Sequence, residues 1–185
     1  TGAREIEPKE YLYGQDERVI TQRELEEQIM GEKLPELKSV VMIQCVGSRD
    51  EEHPYCSRVC CTEAIKNALA LKKQSPETDI YILYRDIRTF GFKEQYYREA
   101  RQAGIVFLEW DKEQKPEVRV EDGQLQVDVV VQPEEEKFTL DADRVVLAAG
   151  IEPNLDNDKL AQMAKVPLDE DGFFLEAHVK LRPLD

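Results

Sequence analysis

The chain has 185 residues, 41% of them apolar, and a formal net charge of −14 from 25 Lys and Arg against 39 Asp and Glu. That length and apolar share suffice for one domain of ordinary size with peripheral chain attached, and metal is not needed to make it fold. The acidic balance excludes a general electrostatic grip on nucleic acid or an anionic membrane surface and favours a protein partner with a basic face.

No stretch approaches the roughly 18 consecutive apolar residues of a membrane span, and no basic-then-apolar leader opens the chain, so the expected compartment is the cytoplasm. Thr1-Gly2-Ala3 opens without Met, and both ends are expected to be cuts in a longer polypeptide. Residues 1–35 read as peripheral, rich in Glu, Arg and Tyr. Within them Thr21-Gln-Arg-Glu24 has the pattern of a capping box, with Leu25 and Ile29 one turn apart behind it.

After Pro35, Val40-Val-Met-Ile43 is a short continuous apolar run that suits a strand covered on both faces, and it runs into Cys45. From Cys60 to Lys73, Ala64, Ile65, Ala68, Leu69 and Leu71 recur with helical spacing. Ile80–Tyr84 predicts a second buried strand. Phe92, Tyr96, Ala100 and Ala103 predict the inner face of a second helix, stopped by Gly104, and Ile105–Leu108 a third strand. Strand–helix–strand–helix–strand at these lengths implies a parallel sheet with right-handed crossovers.

The period then changes to two: Val118 and Val120, the turn pair Asp122-Gly123, then Leu125, Val127, Val129 and Val131, a hairpin that Phe138 and Leu140 extend into a meander. Arg144–Gly150 reads as a buried strand returning to the parallel sheet. Beyond Pro153 come a short helix around Leu160 and Met163 and a turn at Asp169–Gly172. The expected division is 1–35, peripheral; 36–150, an α/β domain carrying the cysteines; and 151–185, a return segment.

All four cysteines, Cys45, Cys56, Cys60 and Cys61, fall inside seventeen residues as C-x10-C-x3-C-C. In a reducing compartment such a cluster more often binds metal or does redox chemistry than forms disulfides. Four thiolates can close the sphere of a zinc ion or supply one ligand to each iron of a [4Fe–4S] cluster. Spacing alone leaves both open, although zinc sites usually gather C-x2–4-C pairs and a larger cluster tolerates uneven spacing. If the helix begins early, Cys56 and Cys60 share a face, while Cys61 points about 100° away. Arg49 and Arg58 are candidates for stabilising negative charge at the centre, or are solvated surface residues. His53 is a substitute ligand or an exposed loop residue. A catalytic Cys60 or Cys61 at the helix start is a further alternative, but the chain has no C-x-x-C pair.

The order βαβαβ, a meander, then a strand ending in Ala149-Gly150 with Pro153 after it resembles the nicotinamide-binding domain of two-dinucleotide-fold flavoenzymes such as thioredoxin reductase. Thr1-Gly2-Ala3 resembles the end of a strand in their flavin domain, which implies that the chain begins and ends there. In that family the first strand leads into G-x-G-x-x-G. Here the position reads Gln44-Cys-Val-Gly-Ser-Arg49, with a single glycine. Arg85 and Arg88 follow the second strand, where a 2′-phosphate would be read. Without the glycine turn they are expected to make surface or interdomain contacts, and NAD(P)H binding is the alternative.

Ile43–Asp50, Tyr55-Cys-Ser-Arg-Val-Cys-Cys61, Tyr84-Arg-Asp-Ile-Arg88 and Leu168–His178 resemble the A subunits of the heterodisulfide reductases, over about the whole chain. The resemblance implies an iron–sulfur flavoprotein with FAD in its thioredoxin-reductase-like part and a [4Fe–4S] cluster on Cys45, Cys56, Cys60 and Cys61. It implies further subunits of that kind as partners and a hydrogenase or dehydrogenase as electron donor; self-association stays open. Gly91-Phe92-Lys93 departs from the family's glycine–lysine–glycine form. These residues contain neither a flavin G-x-G-x-x-G nor the C-x2-C-x2-C-x3-C of ferredoxin modules, so they alone are not expected to hold FAD or turn over. A zinc-stapled interaction module is the non-enzymatic alternative.

Overall fold

The computed structural model describes residues 2–31 and 34–175. The end of the Leu168–His178 motif and Thr1 therefore lie outside the described residues. Strand β1 (Ala3–Glu5) leads through an irregular stretch to β2 (Val19–Thr21), α1 (Gln22–Met30) and β3 (Ser39–Val46). The cysteine loop and α2 (Cys60–Gln74) follow, then β4 (Asp79–Tyr84), a 3-10 turn at Gly91–Lys93, α3 (Glu94–Gln102) and β5 (Val106–Glu109). The chain continues as β6 (Glu117–Glu121), β7 (Gln124–Val131), β8 (Glu136–Ala142), β9 (Arg144–Ala149), β10 (Ile151–Pro153) and α4 (Asn157–Ala164).

Five strands form a parallel sheet in the order β2-β9-β3-β4-β5. Alternation along each strand sorts its residues into two cores. Val40, Met42, Ile80, Ile82 and Val146 pack with Ala64, Ile65, Ala68 and Leu71 of α2, Leu25 of α1 and Ala100 of α3. Val41, Ile43, Leu83, Val145 and Leu147 pack instead with Leu125, Val127 and Val129 of the meander β6-β7-β8. The molecule is thus three-layered, helices over a parallel sheet over an antiparallel sheet, and the central strands are covered on both faces as their continuous apolar runs require.

Two expectations change. Residues 19–30 are not peripheral: β2 pairs with β9, and Val19, Ile20 and Leu25 are buried. The composition of 1–35 hides this because the buried part is short. The capping box forms as its four residues imply, with Glu24 N donating to Thr21 Oγ1 at 3.3 Å and Thr21 N to Glu24 Oε2 at 2.7 Å. In α3 the inner face is Tyr97 and Ala100 rather than Phe92 and Tyr96, because Gly91–Lys93 is 3-10 and the α-helical period starts only at Glu94. Phe92 is fully exposed, while Tyr97 meets Phe107 edge-on at 4.8 Å.

The Asp122-Gly123 turn has positive φ at both residues, 49° and 79°, the geometry that matches a tight hairpin to strand twist. β1 pairs antiparallel with β10, so residues 3–5 and 151–153 lie side by side. β3 is central, with β4 and β5 to one side and β9 and β2 to the other. Its C-terminal end is where the strand order reverses, the place at which open α/β sheets bind ligands.

Candidate metal centre

Strand β3 stops behaving as a strand at Cys45. Up to Ile43 it pairs regularly, Ile43 with Leu83 and Leu147, and the register shifts before Val46 meets Ala149. Regular alternation would put Cys45 on the meander face beside Val41 and Ile43. Its φ of 64° turns the chain instead, and that left-handed geometry costs a non-glycine residue about 1–2 kcal/mol. Gly47, Arg49 and Arg58 also have positive φ, at 66°, 58° and 63°. Such strain persists where surrounding contacts over-determine it.

Those contacts are present. Gly150 N donates to Val46 O at 2.7 Å and Gly150 O accepts from Ile6 N at 2.8 Å. A Cβ at Gly150 would lie 2.9 Å from Ser48 Cβ and 3.0 Å from Gly47 O. The far side of the loop is pinned to β10: Tyr55 Oη donates to Ile151 O at 3.0 Å, and buried Ser57 Oγ accepts from Ile151 N at 3.0 Å. Tyr55 also meets Phe173 edge-on at 5.2 Å. Residues 50–53 close a turn of their own, Asp50 Oδ1 accepting from His53 N at 2.7 Å, and the His53 ring packs edge-on against Tyr55.

The helix does not begin early. α2 starts at Cys60, with Val59 as N-cap and no side-chain cap bond, so Cys60 and Cys61 occupy its first turn and Cys56 lies outside it. The first-turn amides have no capping oxygen, which leaves the positive end of the helix beside the thiols. Cys56 Sγ accepts from Arg58 N at 3.4 Å, and Cys61 S–H faces Asp86 O at 3.9 Å.

The four free thiols thus lie on the end of β3, the loop behind it and the first turn of α2, Cys60 and Cys61 buried and Cys45 and Cys56 half-buried. Their charges are mutually felt. Cys60 is pushed up first by donating its S–H to Cys61, then by burial, and further by Cys61, Cys45 and Cys56. Cys61 is drawn below the usual thiol range, first by that S–H and, against burial, by the Arg88 backbone N–H. Burial pushes Cys45 up to about 11, with Cys61 adding to the rise and Arg49 opposing it. Among the described residues, no three His, Cys, Asp or Glu side chains are gathered so as to hold a single metal ion.

Cations surround the thiols through one carboxylate. Asp86 binds Arg49 Nη1 with one oxygen and Arg88 Nε with the other, the latter at 2.9 Å. Arg49 Nη1 stands 4.0 Å from Cys45 Sγ. The bond to Asp86 is the main cause holding Arg88 above its ordinary value, and Cys56 is a further hydrogen-bond partner of that guanidinium. Arg85 donates to Arg49 O at 2.9 Å and lies 5.7 Å over Trp110. Arg88 and Arg85 thus serve this cluster of side chains, whereas their sequence positions suggested surface or interdomain contacts. Arg58 is exposed and meets Cys56 through its backbone. Sequence reasoning missed Asp86 altogether; its one signal is its place between Arg85 and Arg88.

No protein-family model matches the chain. It is 40% identical, over 96% of its own length, to the iron–sulfur A subunit of CoB–CoM heterodisulfide reductase from Methanocaldococcus jannaschii, of which it covers 29%. It is 43% identical over 80% of its length to the A subunit of the ferredoxin:CoB–CoM heterodisulfide reductase of Methanosarcina acetivorans, covering 19% of that protein. Against the A subunit of the H2:CoB–CoM heterodisulfide,ferredoxin reductase of Methanothermobacter thermautotrophicus the identity is 40%, over 97% of this chain and 29% of that protein. The chain therefore spans less than a third of the length of these curated relatives. In three dimensions it is similar to thioredoxin reductase of Lactococcus lactis (TM-score 0.57, 17% identity, 96% of this chain and 50% of that one). It is also similar to L-lysine 6-monooxygenase of Pseudomonas syringae (TM-score 0.56, 10% identity, 95% and 50%). At such low identity the shared property is the fold, that of thioredoxin-reductase-like flavoproteins.

Proposed function

The chain belongs to the family of heterodisulfide reductase A subunits, matching a stretch under a third of their length, and from that premise we propose that it is an electron-transfer module whose Cys45, Cys56, Cys60 and Cys61 ligate a [4Fe–4S] cluster. The observation that carries this reading is the placement of four free thiols on the end of β3, the loop behind it and the first turn of α2, where a dinucleotide-binding relative would carry its glycine loop. Zn–S bonds of about 2.3 Å would draw all four sulfurs onto one ion. The donor set, spread across a strand end, a loop and a helix start, suits a group that takes one thiolate per iron.

When bound, such a cluster supplies one-electron transfer. The chain's own residues do the rest. The four thiolates hold it, with no residue acting as acid or base. The uncapped amides of α2 and the guanidinium groups of Arg49 and Arg88 offset its negative charge, and Asp86 fixes those two groups relative to each other. Tyr55 and Ser57, on either side of Cys56, tie the loop to β10.

In the whole protein, the unit from β2 to β9 would form the cluster domain, and FAD would sit in a neighbouring domain reached through the segments before β2 and after β9. Two features support that division: β1 and β10 leave side by side, and Leu155 and Met163 of the return segment are 86% and 73% exposed, as side chains that pack on another domain would be. The proposed partners are other heterodisulfide-reductase-like subunits and a hydrogenase or dehydrogenase donor. No helix among the described residues is long and apolar enough to cross a membrane.

Metal analysis of anaerobically prepared protein tests the reading. It should give about four irons and four acid-labile sulfides per chain and an EPR signal on reduction, all lost in Cys60→Ser. Stoichiometric zinc without iron or sulfide would overturn it in favour of a zinc-stapled module. Titration with NADPH should show no saturable binding, because Arg85 and Arg88 are already engaged within the cysteine loop's surroundings.

A further inference from the structure

Gln44, immediately before Cys45, is 1% exposed, and both polar atoms of its side-chain amide, Oε1 and Nε2, are buried without a hydrogen-bond partner. A buried amide with nothing to bond is costly, and apolar residues of similar size are the ordinary occupants of such strand positions. The register shows what the amide faces. Val40 and Met42 lie on the helix face with Ala64 and Ile65 of α2, and Gln44 is the next residue on that face. α2 must run back along the sheet so that β4 can start beside Ser39, and its first turn, Cys60 and Cys61, therefore lies over the end of β3. Thr62 Oγ1, in that same turn, is also buried and unpartnered. The left-handed turn at Cys45 brings its thiol within electrostatic reach of Cys61. Gln44 is thus a buried residue directly before one thiol and on the sheet face that the first turn of α2, with two more, covers.

We propose that the side-chain amide of Gln44 is a hydrogen-bond donor to the sulfur atoms of the centre that these cysteines hold. It is a positioning and tuning residue whose partner is the bound group rather than the protein. The inference rests on the proposal that the four thiolates hold a cluster. An N–H donated to sulfur stabilises the more negative, reduced state more than the oxidised one and so raises the reduction potential. In the metal-free chain the same amide is only a burden. The two states therefore respond to its removal with opposite sign, which a purely structural glutamine would not do.

The test compares the wild-type chain with Gln44→Met and with the isosteric Gln44→Glu, each loaded anaerobically with iron and sulfide and titrated potentiometrically by EPR. Gln44→Met should keep the wild-type iron and sulfide count and shift the midpoint to more negative potential. Its reduced-to-oxidised ratio at the wild-type midpoint should fall several-fold, up to about tenfold, equivalent to about 59 mV for a one-electron couple. The metal-free variant should melt no lower than the metal-free wild type. Should Gln44→Met fail to load while its metal-free form stays folded, the donor is needed to hold the group, and Gln44→Glu, which replaces the N–H by an acceptor, should fail likewise. An unchanged midpoint in either loaded variant, or a lower melting point of metal-free Gln44→Met, overturns this inference and leaves the cluster itself standing. A wild-type chain that takes up no iron overturns both.

Discussion

Gly150 shows how closely the strand ends are fitted around the cysteines. It does not have positive φ; it is glycine because a Cβ would sit 2.9 Å from Ser48 Cβ and 3.0 Å from a backbone oxygen of Gly47. Neither neighbour is the flexible end of a long side chain, so Gly150→Ala has to move the backbone of the turn that carries Cys45. Overpacking of this kind costs about 1–3 kcal/mol, and the expected outcome is a lower urea midpoint together with poorer retention of iron by the loaded protein. A normal midpoint with full iron would mean that the loop yields freely. At this scale the sequence was half legible. Cysteine spacing named the four thiols, since no other residue type clusters so unevenly. The sign of φ at Cys45 and the burial of Gln44 left no trace in it, and the Asp86 bridge between Arg49 and Arg88 only the place of Asp86 between two arginines, because each depends on strand ends meeting across the sheet.

Helix α1 illustrates what local chemistry fixes. Its N-terminus was readable because both halves of the capping box lie within Thr21–Glu24, and the reciprocal bonds form as the four residues dictate. Thr21→Ala removes the side-chain acceptor and leaves the Glu24 amide unpaired at the start of a nine-residue helix. Loss of about 1 kcal/mol is expected, seen as a melting point lower by about 2–4 °C for a chain of this size. Strands β3, β4 and β9 were legible for a related reason, their apolar runs being long enough to show burial on both faces. Strand β2 was not, since three residues carry no period; only pairing with β9 reveals it. In α3 the pattern was misphased by the 3-10 turn before it, and the aromatic contact that settles its orientation, Tyr97 on Phe107, joins residues ten apart.

Over the whole molecule, the surplus of carboxylates becomes specific where the two ends of the described domain meet. β1 lies against β10, and Glu5 at its end comes close to Glu63 in the first turn of α2 and to Glu24 of α1. Burial, and then the charge of Glu63, push Glu5 from 4.5 up to about 7, against the pull of Arg23; Glu63 is itself raised, mainly by burial. A carboxyl raised in the folded state binds its proton more tightly there than in the unfolded chain. Its contribution is therefore fully present below about pH 4.5 and is lost as pH rises through about 7. The chain as a whole carries −14, so self-repulsion acts in the same direction over that window. Glu5 is about half exposed, which keeps the effect modest and makes it weaken with added salt. Glu5→Gln separates the local contribution from the global one. Urea midpoints taken from pH 5 to pH 8 at low salt should decline in the wild type and decline less in the variant, with the variant the more stable of the two above pH 7. Parallel curves for the two proteins would mean that the pH response belongs to the overall charge and not to the junction of β1 with α2.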